Sequence, residues 1–404
     1  MTGRHALSCK TNDEVEIAPS LRRPNFPFAL DEVLTTVQQQ RGEACSLPPC
    51  FLPAYARLTA SLADEADLTP TGLAIARRRL VTALANQLTV RELIERQDIE
   101  SHLHGHDAVF VLGLPGTGLY RLQRLLSQHS ALNIPSLWEI LSPGMEWRPW
   151  RSSPPNDPFE YALWARLGQR SGFRPPDLGA PYGDHLLLTY AFHTPSASLE
   201  YRIPGYADWL EAQDATTAYE FHRYALTVIL ERVSGGVPVL VNEFHSLKLP
   251  ELLRIYPTAR VIRVHRDPLA SLSNVVGTSI LRRRAWSHRV DPREVTAEWA
   301  GRLLSTLFLP EWHEALPIGA EVLDVTYPEL VDTPLLTLRR ICEFLGTPLP
   351  TSVERRALEQ CRQFSRFPEE GLDRGHPHLL NEGLPGLFNE YRGRYCRRWG
   401  VQEL

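Results

Sequence analysis

The sequence has little of what would tie a protein to a membrane, to the outside of the cell or to a nucleic acid. No stretch approaches about eighteen uninterrupted apolar residues, and residues 1–20 lack the apolar middle of a secretory signal. The formal net charge of -4 gives no electrostatic reason to bind nucleic acid or an anionic membrane surface. We therefore expect a cytoplasmic protein whose partner is a small molecule, in an oligomeric state that the sequence leaves open.

Clustered metal ligands are also missing. The six cysteines are dispersed, with no C-x-x-C pair and no cysteine–histidine cluster at metal-ligand spacing. This pattern predicts reduced thiols and no metal. His185, His193 and His222 have no second ligand at metal spacing, and we interpret them as ordinary residues of the segment that contains them.

The chain is long enough, and its 43% hydrophobic content high enough, for a full α/β core. Residues 1–28 are polar and aperiodic, which predicts a flexible N-terminal arm. Residues 29–104 carry apolar residues at helical spacing, with Thr69 as an N-cap and Pro70 in the first turn, and predict a helical lead-in. An α/β domain is then expected over 105–404.

Short runs of β-branched residues predict strands at Ala108–Leu112, 237–244, 259–268 and 320–327. Each is followed by a helical pattern, and strands that alternate with helices indicate a central parallel sheet flanked by helices. The last of these helices is expected to begin at Thr333 as its cap.

A long insertion, 140–236, separates the first two predicted strands. It contains the proline-rich loops "RPWRSSPPNDPF" and "FRPPDLGAPYGD" and the amphipathic stretch "TTAYEFHRYALTVILERV". Long segments of this kind in a compact domain are often functional, and we expect a lid over the substrate.

The first strand runs into a glycine-rich turn. Gly113 and Gly118 match the outer glycines of the phosphate-binding loop G-x-x-x-x-G-K-[ST], but Leu119 and Tyr120 occupy the lysine and hydroxyl positions. A Mg-dependent nucleotide hydrolase is therefore excluded. Backbone N–H groups around Thr117 can still bind an anion, because the first turn of a helix leaves its donors unpaired and its dipole favours negative charge. The alternative is a tight turn with no ligand.

Arg266 stands at the carboxyl end of the strand in "RVIRVHRDP", where Asp267 is expected to cap the next helix. Ligands of open α/β sheets lie outside these strand ends. Arg266 and the glycine-rich loop are therefore expected to face one ligand. The alternative is that Arg266 pairs with a surface carboxylate.

These motifs resemble the sulfotransferases that use 3'-phosphoadenosine 5'-phosphosulfate, particularly their bacterial branch. The resemblance runs from about 107 to 400 and includes "GLPGTG" with "LLSQH", "PSLWEI", "FHSLKLPELLRIYPTARVIRVHRDP" and "YPELVDTPLLTLRRICEFLG". It implies a P-loop-like fold, the sulfated nucleotide as cofactor, and a hydroxyl or amine of a small molecule as acceptor.

The resemblance also implies roles for individual residues. Those implied for the acceptor site are Trp138 and Tyr120, and those implied for the cofactor are Gly113, Gly116, Thr117, Gly118, Arg121, Arg266, Ser273 and Asn274. The chain departs from the family where Gly116, Leu119 and Tyr120 replace a cation and two hydroxyl residues, and where Val241 replaces a lysine. Arg121 and Lys248 are the candidates to substitute for these groups.

Glu243 and His245 stand at the end of the second strand, where sulfuryl transfer needs a base. Burial would raise the pKa of Glu243 and suit it to that role. The alternative is structural: Glu243 pairs with Arg266 or Lys248, and His245 caps a helix.

Three functions stay open on this basis. The first is sulfuryl transfer to a small molecule. The second is a repurposed fold that does not use the donor and catalyses a lyase, cyclisation or isomerisation step with Glu243 and His245 as acid and base. The third is a non-catalytic binding protein.

Overall fold

The computed structural model describes residues 26–97, 108–144, 161–164, 177–231, 235–307, 320–366 and 386–403. Almost all of the predicted N-terminal arm and the first proline-rich loop, 148–159, lie outside the described residues.

A parallel sheet forms the centre of the fold, with the strand order β2-β3-β1-β4-β5 in the described part of the chain. Its strands are β1 Val109–Gly113, β2 Leu132–Asn133, β3 Val237–Val241, β4 Arg260–His265 and β5 Glu321–Thr326. The central strand β1 pairs with β3 on one side and β4 on the other, both in parallel. The predicted parallel sheet is confirmed, with β2 as a short strand that no sequence pattern predicted.

Two predicted strands run too long, and the run 259–268 ends as β4 at His265. The run 237–244 predicted a longer β3, but the strand ends at Val241 because the side chain of Asn242 accepts a hydrogen bond from the Phe244 N–H at 2.9 Å. That bond starts a 3-10 turn over Glu243–Leu247, which turns the chain across the end of the sheet.

The described part of the lead-in is helical. Its helices are α1 Leu30–Arg41, α2 Leu52–Asp64 and α3 Pro70–Gln97, and the hydroxyl of Thr69 accepts the Gly72 N–H at 3.0 Å to cap α3. Val33 of α1 belongs to the same hydrophobic cluster as Phe110 of β1 and Tyr395 near the other end of the chain, so the lead-in shares one core with the sheet. Phe28, the last residue of the predicted arm, is fully buried in this cluster, so the end of the arm is packed.

The following helices are α4 Leu119–Leu126 after β1, α5 Leu137–Leu141 after β2, and then α6 His185–Thr189, α7 Ala197–Glu200, α8 Pro204–Ala212 and α9 Thr216–Leu230. The last four come from the segment expected to form a lid. Phe192, Tyr206 and Phe221 of this segment are at most 1% exposed and belong to the main hydrophobic cluster. The described part of the segment is thus a component of the core.

The remaining helices are α10 Leu249–Ile255, α11 Pro268–Trp286, α12 Pro292–Leu307, α13 Tyr327–Asp332, α14 Pro334–Phe344, α15 Thr351–Arg366 and α16 Gly386–Trp399. Asp267 caps α11, as predicted, by accepting the Leu269 N–H at 3.0 Å. Thr333 occupies the N-cap position of α14, as predicted, but its hydroxyl donates to the Glu329 carbonyl and makes no capping bond.

Cys50 is disulfide-bonded, which corrects the expectation that all thiols are reduced, whereas Cys45, Cys342, Cys361 and Cys396 are free. Within the described residues, none of the helices combines the length and the apolar character needed to cross a membrane.

Candidate functional site

The glycine-rich loop connects β1 to α4 at the carboxyl edge of the sheet. Gly116 and Gly118 have φ angles of 78° and 91°, in the left-handed region that favours glycine. A Cβ added at Gly116 would lie 2.8 Å from Cβ of Asn274. The hydroxyl of Thr117 donates to the Leu114 carbonyl at 2.8 Å. The loop is therefore a tight turn in which position 116 has no room for a side chain unless Asn274 moves.

Leu119 and Tyr120, which follow the loop directly, supply no positive charge to it. Leu119 is 8% exposed and packs in the cluster beneath α4, and Tyr120 is 43% exposed. Arg121 acts electrostatically on the thiol of Cys361 in α15, whose pKa it lowers against the larger, raising effect of burial. The first-turn N–H groups of α4 remain the loop's means of binding an anion.

Arg266 does reach the loop. Its Nη1 donates to the Gly116 carbonyl at 2.8 Å, and its guanidinium lies over the ring of Tyr327, 4.0 Å from the centroid. Asn274 is buried against Gly116, and Ser273 is half-buried beside it. The structure thus brings Arg266 and Asn274 to the loop, as the order of the strands requires.

Two other residues predicted for the site, Lys248 and Trp138, make their contacts in other parts of the structure. The ammonium of Lys248 donates to the backbone carbonyls of Glu211 and Gln213 at 2.8 and 2.7 Å, so it holds the connection between α8 and α9. Trp138 is 2% exposed within a small cluster that includes Leu141 and Trp164. Lys248 therefore does not replace the missing lysine, and Trp138 does not line the pocket next to the loop.

That pocket lies at the carboxyl edge of the sheet, beside the glycine-rich loop. The loop from Gly113 to Pro115 forms one wall, the 3-10 turn after β3 another, and α12 a third. The lining is largely apolar, with Phe244, Leu247, Trp299 and Leu303 among its residues, and its charged members are Glu211, Glu243 and Arg302.

Glu243 forms no ion pair among the described residues, whereas Arg302 pairs with Glu298 at 3.2 Å and lies 4.0 Å from Glu211. Burial raises the pKa of the Glu243 carboxyl, and its own backbone N–H and the positive charge of Arg282 act against that rise. Lys248 does not pair with Glu243, contrary to one structural alternative.

His245 belongs to a buried hydrogen-bonded chain next to the pocket and does not line it. Oδ2 of Asp184 accepts from Nε2 of His222 at 2.7 Å and from Nε2 of His245 at 2.8 Å. The other ring nitrogens contact tyrosine hydroxyls, His222 with Tyr256 at 2.8 Å and His245 with Tyr219 at 3.0 Å. His245 is therefore not a helix cap.

Every ring nitrogen of the two imidazoles has a polar partner, because the tyrosine hydroxyls contact the Nδ1 atoms and Asp184 contacts the Nε2 atoms. Burial lowers the pKa of His222. Burial alone would raise the pKa of Asp184, but the charge and hydrogen bonds of His245 and His222 hold it well below its usual range. Asp184 is therefore an ionised carboxylate that two histidines stabilise.

Asp184, His222 and His245 also form the donor set of a two-histidine, one-carboxylate metal site, with ligand atoms within 4.8 Å of one another. Their contacts of 2.7 and 2.8 Å are hydrogen-bond distances, and the tyrosines occupy the remaining nitrogens. The geometry fits two imidazoles hydrogen-bonded to one carboxylate. The interpretation of His222 as an ordinary residue is corrected, because the fold brings it to partners 38 and 34 positions away.

Fold and site together define an α/β protein with a glycine-rich loop at the carboxyl end of its central strand. Residues 108–351 match the model of a family described as "Sulfotransferase family". The chain belongs to this family.

Two solved structures share its fold. Sulfotransferase STF1 from Mycobacterium tuberculosis is 21% identical, with a TM-score of 0.75 over 91% of this chain and 98% of that one. Sulfotransferase STF9 from Mycobacterium avium is 20% identical, with a TM-score of 0.74 over 92% of this chain and 97% of that one. No curated protein matches the chain.

The sulfated nucleotide fits only one end of the site. Arg266 is placed to meet a phosphate near the loop. At the sulfuryl end, Gly116, Leu119 and Val241 supply no side-chain donor, and the carboxyl of Glu243 borders the loop. A carboxylate there repels the negative oxygens of a phosphosulfate. The residues present do not fit the reacting end of this donor.

Proposed function

We propose that this protein is an enzyme that transfers a proton to or from a bound small molecule at Glu243, without the sulfated donor. The observation that carries this proposal is the Glu243 carboxyl, which lines a largely apolar pocket and has a pKa raised by burial. A raised pKa suits a carboxyl to take and give a proton at higher pH than a free glutamate would. The reaction is a lyase, cyclisation or isomerisation step that begins with this proton transfer.

The missing donors argue against sulfuryl transfer. That reaction needs fixed positive groups where charge develops on the leaving phosphate. Loss of one such donor costs about 2.7–4 kcal/mol in the transition state, and three are lost at Gly116, Leu119 and Val241. A combined cost of about 8 kcal/mol or more would slow the reaction by about a millionfold. Proton transfer at Glu243 needs none of these groups.

The neighbouring residues support a role for Glu243 as the reacting group. His245 lies in the same 3-10 turn and is fixed by Asp184 and Tyr219, so it acts as a positioning residue that does not reach the pocket. Phe244 and Leu247 also line the pocket and place apolar surface beside Glu243. Burial raises the pKa of its carboxyl.

Sulfuryl transfer from 3'-phosphoadenosine 5'-phosphosulfate to a hydroxyl or amine is the second candidate. The contact between Arg266 and the loop favours it, because that contact leaves a guanidinium near a possible phosphate site. A non-catalytic binding protein is the third, and it requires that Glu243→Gln protein still rescues cells that lack the gene.

Calorimetric titration with 3'-phosphoadenosine 5'-phosphate separates the first two candidates. Wild type, Arg266→Ala and the control Arg284→Ala are compared; Arg284 is an exposed arginine of the same helix region, α11. We expect no binding at millimolar nucleotide. Micromolar binding that is lost in Arg266→Ala and kept in Arg284→Ala would overturn donor-independent chemistry and establish the second candidate.

A further inference from the structure

The hydrogen-bond donors of the pocket indicate what its ligand has to offer. We infer that the substrate carries a carbonyl oxygen, which accepts a hydrogen bond from the indole N–H of Trp299. This inference deepens the proposed function and rests on it. It concerns a residue that no sequence motif singled out.

Four of the described residues that line the pocket carry a side-chain donor: Ser246, Trp299, Arg302 and Thr306. The hydroxyl of Ser246 donates to the Glu243 carbonyl at 2.6 Å, and that of Thr306 donates to the Arg302 carbonyl at 3.0 Å. Nη2 of Arg302 lies 3.2 Å from the carboxylate of Glu298. The protein itself therefore occupies both hydroxyls and the end of the arginine.

Trp299 of α12 differs from the other three. Its side chain is 3% exposed, and its Nε1 is buried without a hydrogen-bond partner among the described residues. Nε of Arg302, three positions further along the same helix, has no partner there either. Residues three apart share one face of a helix, and buried donors in proteins are nearly always paired. Two unpaired donors on one helix face that borders a pocket indicate that a ligand supplies the acceptor.

Burial without a partner is not enough to indicate a ligand. Nε1 of Trp399 in α16 is also buried and lacks a hydrogen-bond partner in the described part of the chain. Trp399, however, stacks on His265 with the ring centroids 4.0 Å apart, and it does not line the pocket. The position of Trp299 in the lining is what gives a ligand access to its side.

The indole of Trp299 is held before any ligand binds. The guanidinium of Arg302 lies 5.7 Å from the centroid of the ring, and its pairing with Glu298 keeps it there. A donor that is already fixed loses little conformational freedom when it binds an acceptor. An indole N–H only donates, so it needs a group that accepts.

A carbonyl oxygen meets this need and also suits the proposed proton transfer. It accepts hydrogen bonds and brings no further donor into a largely apolar pocket, whereas a hydroxyl would bring one. A carbonyl also makes the neighbouring C–H bonds more acidic. When Glu243 takes a proton from such a carbon, the electron pair of the C–H bond moves towards the carbonyl oxygen, which becomes an enolate oxygen. A fixed donor at that oxygen stabilises the charge that develops there.

Two probes with the same bicyclic body test the acceptor. 1-Indanone carries a carbonyl oxygen, and indane has a methylene group in its place. Binding to the full chain is measured by ligand-observed NMR for wild type, Trp299→Phe and the control Trp399→Phe, which removes an indole N–H outside the pocket. We expect Trp299→Phe to weaken 1-indanone about tenfold, the range of one hydrogen bond to an otherwise unpaired donor, and to leave indane unchanged. Trp399→Phe should bind both probes as wild type does.

The indole resonances of wild-type protein labelled with ¹⁵N-tryptophan give a second measurement. The Trp299 signal is assigned by its loss in Trp299→Phe, or in Trp299→Tyr if the first variant does not fold. We expect 1-indanone to move the Trp299 N–H proton to higher ppm, as a new hydrogen bond does, and to leave the Trp399 signal in place. Indane has the same aromatic ring, so it should not cause this shift.

The outcomes separate the inference from the function on which it rests. An equal loss of affinity for both probes in Trp299→Phe, or an indole shift that indane reproduces, would overturn the carbonyl inference. So would the absence of 1-indanone binding to the folded protein at millimolar concentration. Each of these results leaves donor-independent chemistry standing. Micromolar binding of 3'-phosphoadenosine 5'-phosphate would overturn the proposed function itself.

Discussion

Acid should destabilise this protein in part through one buried histidine, His193. Its side chain is 6% exposed, Nε2 has no hydrogen-bond partner among the described residues, and burial, helped by the positive charge of Lys248, lowers its pKa to about 4. Above pH 6.5 the imidazole is neutral in both the folded and the unfolded chain. As the pH falls from 6.5 to about 4, the unfolded chain takes up a proton that the folded chain does not. Stability is therefore lost over that interval.

The separation between 6.5 and about 4 corresponds to about 3 kcal/mol once the pH is below both values, and about 2 kcal/mol of it is already lost at pH 5. We propose to measure urea unfolding at pH 7.5 and pH 5.0 for wild type and His193→Gln. The other titrating groups contribute to both proteins and cancel in the comparison. The stability of His193→Gln should fall by about 2 kcal/mol less than that of wild type between the two pH values.

The control is His288→Gln, which removes an exposed histidine and should leave the pH dependence of wild type unchanged. If wild type and His193→Gln lose the same free energy of unfolding between pH 7.5 and pH 5.0, the argument from burial is refuted.

Three further changes test the packing around the site. Gly116→Ala should cost about 2–5 kcal/mol of unfolding free energy, because it combines a left-handed backbone with a Cβ 2.8 Å from Asn274; an unchanged urea midpoint would contradict this. Glu298→Gln should cost about 3 kcal/mol by leaving the buried Arg283 without its ionic partner, and a melting temperature equal to that of wild type would count against it. Thr69→Ala should cost about 1 kcal/mol through the lost cap of α3, measured in the same urea titration.

The sheet and the loop were predictable because their signals are local. Runs of β-branched residues mark β1, β4 and β5, and parallel strands bring their carboxyl ends to one edge, so Arg266 meets the loop at Gly116. The end of β3 was not predictable from the run, because it depends on the side chain of Asn242. A strand can end within a run of strand-forming residues where a side chain hydrogen-bonds to a backbone group that would otherwise pair in the sheet.

The buried chain at Asp184 lay beyond the reach of the sequence. His222 comes from α9, His245 from the turn after β3 and Asp184 from the residue before α6, so no spacing links them. Glu243 was identified from its position at a strand end, but the pocket that it lines depends on Trp299 and Arg302, which α12 supplies from a distant part of the chain. Such groupings are products of tertiary packing.

The shared core has a consequence for how the protein is made. Phe28 and Tyr395 belong to one hydrophobic cluster, although nearly the whole described chain separates them. During translation α1 to α3 leave the ribosome well before α16 has been synthesised. Until then, part of their apolar surface stays exposed to solvent. We therefore expect the yield of folded protein in a cell to depend on how well chaperones keep the nascent chain from aggregating. The stability of the complete fold does not protect the chain at this stage.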